Sequence, residues 1–153
     1  MGIYFNPTND LFADTALHSK IYVDKTLLID FTNSCLFGEN KEIFVSRPRR
    51  FGKSIAENML VAYYSKGCQS KELFAKFKIA QTPAFEKHLN QHNVIHVDMQ
   101  KFVSRTNGID EMLNFLQKRV LKEMKRAFSC IDKDEESLIT ALEERRAFRT
   151  EYV

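Results

Sequence analysis

The spacing of apolar residues changes abruptly in the middle of this chain. Ile43, Phe44 and Val45 form an unbroken β-prone run of the kind buried on both faces of a parallel sheet. After Ser54 the spacing becomes helical, with Ile55, Met59, Leu60, Ala62 and Tyr63 on one face and Gly67 placed for a left-handed C-cap. A second apolar run, Val94-Ile-His-Val-Asp-Met99, reads as another buried strand, expected to lie parallel to the first.

The flanks are helical in pattern. Ile3, Tyr4 and Phe5 make a short apolar lead ended by Pro7, and Asn9 or Asp10 is placed to cap a helix running to about His18. Asp24 is placed to cap a second helix, ending near Asn33, whose buried face would be Leu27, Leu28 and Phe31. Gly38, Glu39 and Asn40 make a turn. Leu73, Phe74 and Phe77 suit a small helix or turn, and Thr82-Pro83 is an N-cap followed by proline, opening a helix to about Asn90. After a loop at Thr106, Asn107 and Gly108, the residues Ile109, Met112, Leu113, Leu116, Val120, Leu121, Met124 and Phe128 trace one stripe through a long helix. Lys118, Arg119, Lys122, Lys125 and Arg126 cover its other side, without interleaved aromatic residues. A last helix is expected over about Asp134 to Phe148, with Leu138, Ile139 and Leu142 on one side.

The chemistry concentrates at the junction between the first strand and its helix. The stretch Glu42-Ile-Phe-Val-Ser-Arg-Pro-Arg-Arg-Phe-Gly-Lys-Ser54 has the form of a Walker A phosphate-binding loop. Backbone N–H groups at a helix opening lack intrahelical acceptors and lie at the positive end of the dipole, so they suit phosphate oxygens. Gly52 permits close approach, Lys53 would reach the terminal phosphates, and the Ser54 hydroxyl would take a place on Mg²⁺. Arg49, Arg50 and Phe51 complete the nucleotide-binding set. The full pattern G-x-x-x-x-G-K-[ST] would put a glycine at position 47, where this chain has Arg47; Pro48 supplies rigidity there instead. The same residues without a ligand would form a basic turn, but the strand before and the helix after favour a nucleotide.

Four motifs carry a family resemblance: Tyr22-Val-Asp-Lys-Thr26, Arg47-Pro-Arg-Arg-Phe-Gly-Lys-Ser54, Glu72-Leu-Phe74 and Val94-Ile-His-Val-Asp98. In this order the chain resembles the predicted AAA-ATPase-like family, mostly bacterial P-loop proteins, in which the absent first glycine is a family trait. The resemblance implies an α/β, P-loop NTPase-like fold with a small parallel sheet flanked by helices, and ATP and Mg²⁺ as cofactors. It also implies a longer protein, with an acidic Walker B strand and often a nuclease-like domain. Neither pattern occurs here, so the chain reads as the N-terminal portion of such a protein, its sheet incomplete and one strand edge open. Asp24, Lys25 and Thr26 have two readings, as a cap with solvated charge or as a motif packed beside the nucleotide pocket.

Asp98, 45 residues after Lys53, ends its apolar run as a Walker B acid would, yet Met99 follows where a second acid is wanted. A structural or loop-positioning role is favoured for it, with metal contact and catalysis as the alternative. Hydrolysis is therefore expected to be weak or absent. His88 and His92 are four apart and would share a face if that helix ran on, but no third ligand stands nearby in sequence.

Composition narrows the setting. The chain has 153 residues, 44% hydrophobic and 12% aromatic, enough for one globular domain over residues 1–153 with a real core. Its net charge of +3 implies no large polyanion-binding face from totals alone, although the basic loop and helix keep nucleic acid as an alternative partner. Self-association, or docking to the remainder of a larger protein, is a third. Cys35, Cys68 and Cys130 are too scattered for a disulfide framework or zinc site, which suits a reduced cytoplasmic protein. No targeting segment and no bilayer-spanning run is visible.

Overall fold

The computed structural model describes residues 2–39, 41–100 and 108–128. Asn40, the 106–107 part of the loop, Cys130 and the helix expected over 134–148 lie outside the described residues. The chain divides into two compact units, residues 1–96 and 97–153. The first holds α1 (Asp10–His18), α2 (Leu27–Cys35), α3 (Lys53–Tyr64), α4 (Lys71–Phe74), a 3-10 helix (Lys78–Gln81) and α5 (Phe85–His88). The second holds α6 (Ile109–Ala127).

The expected parallel sheet is absent: among the described residues there are no strands, only two isolated bridges, Phe5 with Ile95 antiparallel and Ser65 with His92 parallel. The reason lies in which segment claims the second apolar run. Tyr4–Asn6 lies against it, with His96 N donating to Tyr4 O at 2.8 Å and Asn6 N to Val94 O at 2.8 Å. Asn6 then ends the pairing. Its backbone turns left-handed at φ 47°, and its side-chain Oδ1, not its backbone carbonyl, accepts from Val94 N at 2.8 Å. Ile43, Phe44 and Val45 form no strand, and Phe44 is 90% exposed. The open strand edge expected of an incomplete sheet falls away with the sheet.

Packing in the first unit is aromatic. Phe12 stacks on Phe74 with ring centroids 5.2 Å apart, and Tyr63 meets Phe74 edge-on at 5.7 Å. Ile29, Met59, Ala62, Phe77, Ile79, Phe85 and Leu89 complete this core. α1 matches its expected bounds, and its buried residue is Phe12. α2 turns a different face inward from the one expected: Ile29, Thr32 and Asn33 are buried while Leu27 and Phe31 are exposed. Two tyrosine hydroxyls on α3 decide this, because a buried hydroxyl must be bonded. Tyr64 Oη lies 2.6 Å from Thr32 Oγ1 and donates to Asn33 Oδ1 at 2.7 Å; Tyr63 Oη accepts from Asn33 Nδ2 at 3.2 Å and donates to Phe85 O at 2.7 Å.

α3 does not end on a left-handed glycine. Its final carbonyls are taken by Asn90, whose Nδ2 donates to Ala62 O, Tyr63 O and Ser65 O within 3.0–3.2 Å while its Oδ1 accepts from Ser70 N at 2.9 Å. Gly67 serves a different purpose: a Cβ there would stand 2.2 Å from Asn6 O. The helix expected from Thr82-Pro83 to Asn90 shrinks to α5, because Thr82 closes the preceding 3-10 helix, its Oγ1 donating to Ile79 O at 2.8 Å.

Asp24 is not the N-cap of α2; Thr26 holds that position. Asp24 Oδ1 accepts from Thr26 N at 2.8 Å and from Thr26 Oγ1 at 2.7 Å, and Oδ2 accepts from Lys78 N at 3.0 Å. Burial pushes the Asp24 carboxyl up, but the bonds from Lys78 and Thr26 and the Lys78 charge outweigh it, leaving its pKa below the ordinary value. In the second unit α6 carries Met112 and Leu121 buried, whereas Ile109, at the head of the expected stripe, is exposed.

Candidate functional site

The basic loop leads into α3 through two left-handed residues. Arg50 has φ 66° and Gly52 φ 78°, and Gly52 is the N-cap, so helical geometry begins at Lys53. A left-handed arginine is strained where a left-handed glycine is not. Arg47, Arg49, Arg50, Phe51, Lys53 and Ser54 are all exposed, and Gly52 is half-buried. The first-turn N–H groups of α3 have no intrahelical acceptor by geometry.

Two lysines donate to backbone carbonyls of the loop. Lys53 Nζ turns back to donate to Arg47 O, in a short contact, and to Pro48 O at 3.1 Å. From outside the loop, Lys25 Nζ donates to Phe51 O at 3.3 Å. Lys25 reaches it because its neighbour Thr26 is fully buried, bonded to Asp24 and accepting from Ile79 N at 3.2 Å, which anchors the segment.

A cavity opens on each side. One of about 320 Å³ lies between the loop and the end of α1, lined among others by Ser19, Ile21, Tyr22, Val23, Ile55 and Met59. Burial first, and then the Asp24 charge, push the Tyr22 phenol up to about 12, so it stays protonated. The other, about 630 Å³, lies between α2 and the loop, lined among others by Leu28, Phe31, Phe44, Val45, Arg47 and Lys53. Lys25, Phe51, Gly52 and Ala56 border both. The capping reading of Asp24 fails, since it bonds Thr26 and Lys78 instead, so that Asp24 and Thr26 fasten the chain while Tyr22, Val23 and Lys25 line a cavity beside the loop. The motif signalled that the segment mattered, but not that Lys25 would meet Phe51.

A family model described as predicted AAA-ATPase matches residues 9–150. The chain belongs to that family. The match takes in the loop, both cavities and α6. No curated protein and no solved structure matches the chain.

The sequence-derived site residues fall in different units. Arg49 to Ser54 lie together in the first, whereas Asp98 belongs to the second, where its Oδ1 accepts from Gln100 N at 3.1 Å. No cluster of three or more His, Cys, Asp or Glu that could hold a metal ion occurs among the described residues. Ser54 stands exposed at the helix opening, where its hydroxyl is open to a ligand.

His88 and His92 do meet, although α5 ends at His88. Asn90 turns the chain with φ 54°, and His88 Nδ1 lies 3.1 Å from His92 Nε2. Burial lowers both imidazole pKa values, helped by His92 and Lys87 around His88 and by Lys66 near His92. The basic side of α6 does contain an aromatic residue, contrary to the sequence reading: Arg119 Cζ stands 5.0 Å from the Phe115 ring centroid. Phe115 was missed because it sits off the apolar stripe. With Lys118, Lys122, Lys125 and Arg126 this pair lines a depression of about 610 Å³. Among the described residues no helix is long and apolar enough to cross a membrane.

Proposed function

We propose that this chain binds a nucleoside triphosphate, ATP first among them, together with Mg²⁺, and hydrolyses it weakly or not at all. The observation that carries the reading is the junction at Gly52: a left-handed glycine opening α3, followed by Lys53, in a chain of the predicted AAA-ATPase family. Lys53 and the N–H groups from Gly52 onward would receive phosphate oxygens, Arg49 and Arg50 would add positive charge, Phe51 borders both flanking cavities, and Ser54 would offer its hydroxyl to Mg²⁺. The left-handed Arg50 supports this reading, because backbone strain collects at ligand clamps. Met99 beside Asp98 supports weak turnover, since one acid leaves Mg²⁺ and the attacking water poorly held. A reduced, cytoplasmic setting belongs to the same proposal.

Calorimetric titration with Mg-ATP tests the binding half, with saturable heat expected and none at millimolar nucleotide refuting it. A turnover of about 1 per second or faster would refute the other half.

Phe115 beneath Arg119 favours a second reading, in which α6 binds single-stranded nucleic acid by stacking and phosphate contacts. Affinity would then fall steeply between about 50 and 200 mM salt. A gel shift without complex at low salt disposes of it.

A further inference from the structure

We propose that Lys25 is a second phosphate-binding lysine of the loop and makes the site selective for di- and triphosphates over monophosphates. This rests on the nucleotide reading above and deepens it. Lys25 lies outside the loop in sequence, yet its ammonium is at Phe51 O, whereas Lys53 is held by the carbonyls of Arg47 and Pro48, and both lysines line one cavity. It borders both cavities flanking the loop, so it stands on the ridge between them. Its Nζ is also 3.5 Å from the place a Cβ on residue 52 would occupy, so the ammonium stands at the helix opening itself.

Without an anion, each ammonium is satisfied by a neutral carbonyl. A phosphate oxygen is a better acceptor, since charge-assisted hydrogen bonds are roughly twice as strong as neutral ones. Exchange of Phe51 O for phosphate is therefore downhill for Lys25, as exchange of Arg47 O and Pro48 O is for Lys53. A single phosphate engages one ammonium, whereas a chain of two or three engages both. The anchoring of Thr26 by Asp24 and Ile79 keeps Lys25 in range before the ligand arrives.

The test is calorimetry on the whole chain with Mg²⁺, using ATP, ADP, AMP, inorganic triphosphate and inorganic phosphate as probes. The parent is expected to prefer ATP over AMP, and Lys25→Gln to shrink that ratio by about tenfold or more, a difference of about 1.4 kcal/mol. Lys25→Arg should restore most of it. A Lys25→Gln protein with an unchanged ATP-to-AMP ratio overturns the proposal, as does one that loses both ligands equally, which is what a merely structural residue would give. If Lys25→Gln does not fold, the parent decides: it must bind inorganic triphosphate about tenfold or more tighter than inorganic phosphate, and a smaller ratio overturns the proposal. A parent that binds ATP without preferring it to AMP sinks this inference alone, whereas a parent that binds none of the probes sinks the nucleotide reading with it.

Discussion

Lys25 and Gly52 share one small space: the lysine ammonium stands 3.5 Å from where a side chain on residue 52 would begin. Gly52 is also left-handed, at φ 78°. Gly52→Ala therefore meets backbone strain, while the new methyl group makes only an ordinary contact with the lysine. We expect it to destabilise the protein by about 1 kcal/mol or more, since alanine at positive φ outweighs the entropy it saves in the unfolded chain. Thermal melting checks this; an Ala variant as stable as the parent would mean that the helix opening tolerates a side chain.

Lys53→Ala separates ligand binding from folding. Lys53 is exposed and its two carbonyl partners lie on exposed residues, so water replaces its bonds and stability should change by no more than about 0.5 kcal/mol. The parent at a Mg-ATP concentration ~100 times its dissociation constant should gain about 2.7 kcal/mol, and the variant should lose that gain. A variant melting far below the nucleotide-free parent would make Lys53 a structural residue.

Thr26→Val keeps the shape of a fully buried side chain and removes its hydroxyl. Ile79 N then loses its acceptor and Asp24 one of its donors. A loss of about 1–3 kcal/mol is expected, the usual result of stranding a buried donor. Denaturant unfolding with no change in midpoint would show that Thr26 does not fasten the Lys25 segment.

Asn90→Ala should be as damaging, for two reasons. The side chain caps the end of α3 and receives Ser70 N, and the backbone at φ 54° suits asparagine better than alanine. Asn90→Gly relieves the second problem alone, so it should melt above Asn90→Ala. The reverse order would remove the left-handed backbone from the explanation.

Acid should weaken the fold in two separate windows. His88 and His92 have folded-state pKa values below the ordinary imidazole value, so the unfolded chain binds their protons first. Their contribution is complete above about pH 6.5 and is lost as pH falls through the lowered values. Asp24, also depressed, contributes above about pH 4 and loses that contribution lower down. Melting temperature should fall below about pH 6.5 with a shallower slope in His88→Gln, whereas Asp24→Asn should flatten only the lower window. An unaltered slope in His88→Gln would remove the histidine pair from the account.

Local pattern determined much of this protein. The bounds of α1 and the start of α3 follow from cap residues and helical spacing, and the long α6 from an apolar stripe, because these depend on residues a few positions apart. That Gly52 and Lys53 open this helix was legible for the same reason. Tertiary structure decided what local pattern could not. Ile43–Val45 and Val94–Met99 have strand composition, but a strand exists only through its partner, and Tyr4–Asn6 took the second run. The inner face of α2 was chosen by two tyrosine hydroxyls on α3, a need that hydrophobic spacing does not register. The cap of α3 came from Asn90 and the second lysine of the loop from Lys25, each far away in sequence. Hydrogen-bond satisfaction over long separations set these pairings, and only the folded chain reveals which distant donor meets which acceptor.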